Sequence, residues 1–408
     1  MAITQSLRKA SPLLCLAGVV LTMSAATLAT LAPRPVNALR RYEPKKYSFV
    51  MDVTLSTTVH PVDVRQRGLF NFEEAPIVMP IIYQGAYSLV FVNTEGGRII
   101  IDSTLVPDQM LAKATLDNKP FGTHLLRMVT PKTTGGMVVQ FQVGFDTQSW
   151  SAAIDERLAQ QATWPRDLAW PEEAVDGLGP SKFIESDHDI FKAIIQEQGG
   201  LDQMRTAPPY IVAKQITAYC LNRFQISGAS QLRGHVGQLR GLVVHGALAV
   251  AANPDPQGRW IGTDADLVCV CVAMLRAAGI PARPVIGVTD ALDSATGKAT
   301  NRFVTWAEFY LPGSGWCSFD PVAMRGRGAA IYRNIADAWP EFGTMEDLNL
   351  RVPLSYFFLP PAQGVESPGF DTVALWGWDP RPQPRQDSYE QAVNFQITSR
   401  GKGVEDPG

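Results

Sequence analysis

The sequence predicts an α+β protein: a mixed core domain with β-rich regions before and after it. Three observations carry this. Short, β-branched runs separated by glycine turns fill the stretch from Tyr47 to Trp150. Helical periodicity takes over from His188 and culminates in the strongly apolar segment Leu267–Ala278. Strands resume immediately afterwards around the turn Gly313-Ser314-Gly315, so the core pairs a helix with a hairpin-rich sheet.

The elements follow in order. Arg8 and Lys9 precede an uncharged stretch from Leu13 to Ala32, with small residues at Val36-Asn37-Ala38. A basic start, an apolar run and a small-residue end describe an export signal at 1–38, cleaved after Ala38. An uncleaved anchor fits the same stretch, since about 20 uncharged residues can span a bilayer. Leu14 ahead of Cys15 does not suit lipid attachment. Residues 39–46 read as a linker. The runs YSFVMDVTLSTTV, APIVMPIIY, YSLVFV, RIIIDSTLV, HLLRMVT and GGMVVQFQVGF then predict a β-sandwich-like domain over 47–150.

Helices are predicted for HDIFKAIIQEQ, YIVAKQITAYCLNRF, Arg240–Ala252 and Leu267–Ala278, the last ended by Gly279 and Pro281. Strands are predicted at Arg283–Val288, Phe303–Leu311 and Trp316–Asp320. The tail at 345–408 returns to strand character in LNLRVPLSYFFLPP, TVALWGW and AVNFQIT, either as a small layer of its own or as strands returning to the N-terminal sandwich.

Composition narrows the function classes. The chain has 408 residues, 30 prolines and 34 glycines, which favours turns and short strands. A formal charge of −3 with no basic stripe excludes an electrostatic case for nucleic acid. Beyond the leader, Cys220, Cys269, Cys271 and Cys317 are too few for a disulfide scaffold and read as buried apolar residues. Cys269 and Cys271 diverge by about 200° on a helix, so they do not pair with each other.

The segment GTDADLVCVCVAMLRAAGIPARPVIGV resembles the core helix and following strand of the transglutaminase-like superfamily, a papain-like fold. The ending Leu275-Arg276-Ala277-Ala278-Gly279-Ile280-Pro281-Ala282-Arg283 matches its pattern in full. Downstream, Trp306 and Glu308 match a His-x-Trp-x-Glu strand, and Gly315, Trp316, Phe319, Asp320 and Pro321 match a Gly-Trp-x-x-Phe-Asp-Pro strand. The lead-in WPEEAVDGLGPSKFIESDHDIFKAI resembles that of bacterial members. The resemblance spans 165–325.

It implies a catalytic cysteine at a helix N-terminus, a histidine base and an orienting aspartate. Counting from the matched motifs, with Gly262 two residues ahead of the nucleophile, those positions hold Asp264, Val304 and Asp320. Aspartate is a stable anion at a helix start and a poor nucleophile, and valine carries no proton. The resemblance therefore implies a degenerate, catalytically inactive site that binds a protein or peptide partner. The alternative is an amide-bond hydrolase or transferase with a rearranged site, using Asp264 and Asp320 with a water.

No cofactor or metal is expected. Asp264, Asp266 and Asp320 could gather at a cation, but they read more simply as a helix cap, a first-turn acid and a backbone- or tryptophan-bonded carboxylate. Trp260 is placed near the oxyanion region, as a wall of the cleft. Neither Cys271, about 10.5 Å deeper on the same helix stripe, nor Cys269, about 140° away, reaches the mouth. Cys317 points to the opposite strand face from Asp320. Of His60, His124, His188, His235 and His245, only His235 and His245 could approach the site.

Overall fold

The computed structural model describes residues 37–58, 69–107, 115–118, 120–228, 230–233, 239–289, 302–358, 376–384 and 389–405. The expected export signal, apart from its last two residues, and His60 and His235 lie outside these. Among the described residues, no helix is long and apolar enough to cross a membrane.

The longest strand, Leu39–Thr57, alternates buried and partly exposed residues from Tyr47 onward, as period-two patterning requires of a strand with one covered face. It is paired on both sides: Val138–Ile154 runs antiparallel along one edge (Val53↔Phe141) and Tyr389–Lys402 along the other (Met51↔Phe395). The sheet continues through Gly96–Ile101 on one flank and Leu239–Leu242 on the other. Residues 39–46, expected as a linker, are thus the first part of a strand, with Leu39 opposite Ile154 and Tyr42 opposite Ser151. Their charge disguised them; long-range pairing decides their conformation. The last strand resolves the open question about the tail, since it adds to this first sheet.

A second sheet sets Gly377–Trp378, Ala75–Ile82, Thr123–Thr130 and Thr115–Asn118 side by side. Every residue of Ala75–Ile82 is buried, so this strand is covered on both faces. Met51, Val53 and Phe141 of the first sheet share one apolar cluster with Ile77, Met79 and Ile81 of the second.

The core domain is built on the helix Asp264–Ala277, in which every residue from Ala265 to Arg276 is buried. Such a helix has no solvent face, so its packing, not its amphipathicity, fixes it. It stops in a Schellman turn: Gly279 takes φ 81°, its N–H donates to Arg276 O, and Ile280 N–H donates to Leu275 O. Gly279 is needed there because a side chain disfavours that left-handed backbone.

An antiparallel sheet of Gly315–Phe319, Phe303–Leu311, Ala282–Thr289 and Arg351–Ser355 follows in that order. Alternate residues divide its faces. Ile286, Val288, Ala307 and Phe309 join the cluster that holds the core helix, while Val285, Val304 and Trp306 pack with Ile82, Tyr87, Ala152 and Met345. The core sheet is therefore a middle layer, with the core helix on one side and residues of the N-terminal strands on the other. Arg351–Ser355 comes from the expected C-terminal extension, so 345–408 supplies a strand to each of the three larger sheets. Asn37–Gly408 forms one compact unit, and the divisions expected near 150–165 and 325–345 do not separate bodies.

The helix expected over Arg240–Ala252 is corrected. Leu239–Leu242 is a strand paired with the C-terminal strand, and the helix covers only Ala247–Ala252. Gly246 at φ 99° and the β-branched pair Val243-Val244 break the helical run.

Candidate functional site

The mouth of the core helix is organised by Thr263, not by Asp264. Thr263 is the N-cap: its Oγ1 accepts from Asp266 N–H at 3.3 Å, and the Asp266 carboxylate accepts from Thr263 N–H at 2.9 Å. This reciprocal pair is a capping box with aspartate at its third helical position. Asp264, expected as the cap, is the first helical residue. It is half-buried, and Ser230 Oγ donates to its Oδ2 at 3.4 Å. Burial, and secondarily the charge of Asp320, push its carboxyl above the ordinary range, against the pull of Ser230. Among the described residues, no hydrogen bond joins Asp264 to a histidine or cysteine.

Asp266 carries far more. It is fully buried and accepts from His245 N–H (2.7 Å), Gly246 N–H (3.0 Å), Thr263 N–H and Thr263 Oγ1 (3.1 Å). The His245 ring completes the set, with Nδ1 2.7 Å from Asp266 Oδ2 and its side chain 57% exposed. Asp266 thus ties the 243–246 loop to the helix start, and His245 reaches the site through Asp266, not through Asp264.

On the sheet, Val304 sits opposite Gly287 and packs with the Trp306–Val285–Tyr87 cluster. Asp320 follows Phe319, which pairs with Ala307, so Asp320 lies beside this strand. Its two oxygens are committed. Oδ1 accepts from Ala323 N–H at 2.9 Å and caps the helix Pro321–Arg327; Oδ2 binds Arg351 Nη1 at 2.6 Å. Arg351 also binds Asp347 at 2.9 Å and lies 5.5 Å from the Trp306 ring centre. Burial alone would weaken the Arg351 proton; Asp320 and Asp347 outweigh it and hold the guanidinium firmly charged.

Where the resemblance places an imidazole against Asp320, this chain places a buried guanidinium. Sequence reading missed it. The available signal was a lone charge inside the apolar run LNLRVPLSYFF, which demands a buried partner.

The remaining predicted residues disperse. Trp260 is 1% exposed, paired next to Phe224 and packed on Tyr219 (5.8 Å) and Arg223 (5.2 Å), so it is core rather than the wall of an open cleft. Trp306 is buried, with no hydrogen-bond partner for its Nε1, so Asp320 does not bond to it. Cys220, Cys269, Cys271 and Cys317 are buried free thiols, and burial pushes the last three well above the ordinary thiol range. His188 caps the helix Asp189–Glu197 through Nδ1, and His124 packs edge-on against Tyr83. Among the described residues, no group of three His, Cys, Asp or Glu side chains could hold a metal ion, and Asp264, Asp266 and Asp320 each turn to different partners.

A family model of the transglutaminase-like superfamily matches residues 206–321. No curated protein matches the chain. Among solved structures, a candidate cysteine protease from Cytophaga hutchinsonii superposes with a TM-score of 0.51 at 14% identity, covering 90% of this chain and 94% of that one; this is a likeness of fold. A candidate protease from Parabacteroides distasonis covers 66% of this chain and 63% of that one at 12% identity, and its TM-score of 0.18 carries no argument. Motif spacing, the fold and the family match agree: residues 206–321 are a transglutaminase-like domain.

Proposed function

We propose that this is an exported protein whose transglutaminase-like domain is catalytically inactive and acts by binding a protein or peptide partner. The carrying observation is the buried Asp320–Arg351 ion pair, whose guanidinium lies 5.5 Å from the ring centre of Trp306, two residues along the strand from Val304. Acyl transfer at this position needs a thiolate, an imidazole to accept its proton and a carboxylate to orient the imidazole. Here the nucleophile position is a carboxylate, the base position is an alkyl group, and the orienting carboxylate is neutralised by an arginine. Loss of a nucleophile or base from such a set costs about 10⁴-fold or more. Support for export is the basic, apolar, small-residue order of the N-terminal segment.

The test is to incubate the purified chain with casein and a fluorescent amine, and separately with a peptide mixture read by mass spectrometry. No incorporation and no cleavage above buffer are expected; turnover abolished by Asp264→Ala would overturn the reading. A second reading, a rearranged amide hydrolase, draws its support from the exposed imidazole of His245 held by buried Asp266, an oriented-base geometry. It requires that His245→Ala remove a measurable hydrolysis.

A further inference from the structure

The face of the core sheet turned away from the core helix carries a cavity of about 10 Å³. We propose that it binds one water molecule, built into the fold as a polar link between the N-terminal strands and the core sheet. The inference goes beyond the partner-binding reading and does not depend on it.

Two side chains in the cavity lining call for a partner. Trp306 is 2% exposed and Ser88 is 3% exposed. Yet Trp306 Nε1 and Ser88 Oγ have no hydrogen-bond partner among the described residues. They come from different layers. Ser88 opens the short strand Ser88–Val90 and pairs with Ser149; its carbonyl accepts from Gly85 N–H at 3.0 Å, which closes the turn ahead of it. Trp306 stands on the core strand Phe303–Leu311. A buried polar atom loses its bonds to water on folding, so one left without a replacement destabilises the fold. A single bridging group satisfies both.

Other lining residues supply further contacts. Glu308 Oε2 accepts from Arg283 at 2.8 Å and Oε1 from Ser318 at 3.2 Å, which leaves Oε1 a lone pair. Tyr356 also lines the cavity. A side chain at Gly85 would collide with Ser88 Oγ and meet Tyr356 Oη at 3.0 Å, so these two oxygens flank one point of the backbone. Arg351 completes the polar lining, its charge already met by Asp320 and Asp347.

This chemistry selects the occupant. An indole N–H only donates, so the occupant must accept, which excludes ammonium and metal cations. Chloride accepts but cannot donate, and it would face the Glu308 carboxylate. Water accepts from Trp306 and donates to Ser88 or Glu308. The volume suits one water and nothing larger, and a buried water keeps about three hydrogen bonds. So held, the Trp306 ring stays 5.5 Å from the Arg351 guanidinium.

The test is a high-resolution crystal structure of the chain, with urea unfolding of Ser88→Ala beside it. A water is expected within about 3.2 Å of Trp306 Nε1 and Ser88 Oγ, with a third contact to Glu308 or Tyr356. Ser88→Ala should lower the folded-to-unfolded ratio about fivefold, because the water loses a partner.

A cavity without a water peak, or a direct hydrogen bond between Ser88 and Trp306, overturns the assignment. So does a Ser88→Ala chain as stable as the parent or more so, the result expected when an orphaned hydroxyl is removed. The crystallographic arm needs no substitution and decides the matter whether or not the variant folds.

Discussion

Replacing Arg351 with leucine should destabilise the protein severely, because it strands a buried carboxylate. Arg351 and Asp320 each have side chains 7% exposed and meet at 2.6 Å. Without the guanidinium, Asp320 keeps only the Ala323 N–H, while Asp347, whose side chain is 45% exposed, can turn to water. Breaking one partner of a buried ion pair costs about 3–5 kcal/mol. With an unfolding entropy near 2.1 cal/mol/K per residue over Asn37–Gly408, that corresponds to a fall in Tm of about 4–6 °C.

Urea denaturation followed by tryptophan fluorescence measures the free energy directly. The double variant Arg351→Leu/Asp320→Asn should recover about half or more of the loss. Its neutral amide still accepts from Ala323 and no charge is left stranded. If the single variant lies within about 0.5 kcal/mol of the parent, or the double is no better than the single, Asp320 is not held by Arg351 in the way described, and the case for a blocked orienting carboxylate fails with it.

Two further outcomes follow from the same site. Asp264→Asn should raise stability at pH 7: burial and Asp320 lift the folded carboxyl above its usual 3.8, so the folded state binds the proton more tightly than the unfolded state. The resulting penalty accumulates as pH rises from about 3.8 to the raised folded value and is complete above it, so the advantage of asparagine in urea midpoint should shrink as pH is lowered through that window. Separately, Asn37–Gly408 should show no fast thiol reaction with Ellman's reagent when folded, and reaction of Cys220, Cys269, Cys271 and Cys317 in denaturant, since all four are buried; prompt labelling of a folded thiol contradicts the packing described.

What could be read from the sequence was what local rules decide. The core helix declared itself by its unbroken apolar run and by Gly279-Ile280-Pro281, both of which act within a turn. The positions expected for the triad rest on counting along the matched motifs, whose spacing is fixed along a strand or helix. Thr263 displaced Asp264 as cap by one residue, although the capping-box spacing Thr263-x-x-Asp266 was present to be read. What escaped was nonlocal. The run RRYEPKK looks like a linker until its partners, more than half the chain away on one side, complete its hydrogen bonds. Val243-Val244 and Gly246 yielded a strand and loop where apolar content alone suggested helix. Arg351 needed a partner, but nothing in its own neighbourhood named Asp320.

The placement of the last strand also governs the order in which the molecule can be made. Leu39–Thr57 has one neighbour, Val138–Ile154, that emerges in synthesis before residues 206–321, and another, Tyr389–Lys402, that emerges only after them. Until then the first strand offers an open row of backbone donors and acceptors along one edge, the kind of edge to which other chains add. The whole transglutaminase-like domain is translated during that interval. Completion of the first sheet is thus a late, long-range event, slow by its loop length and vulnerable to mispairing. Removal of the final strand would leave a permanently unpaired edge on an otherwise finished core.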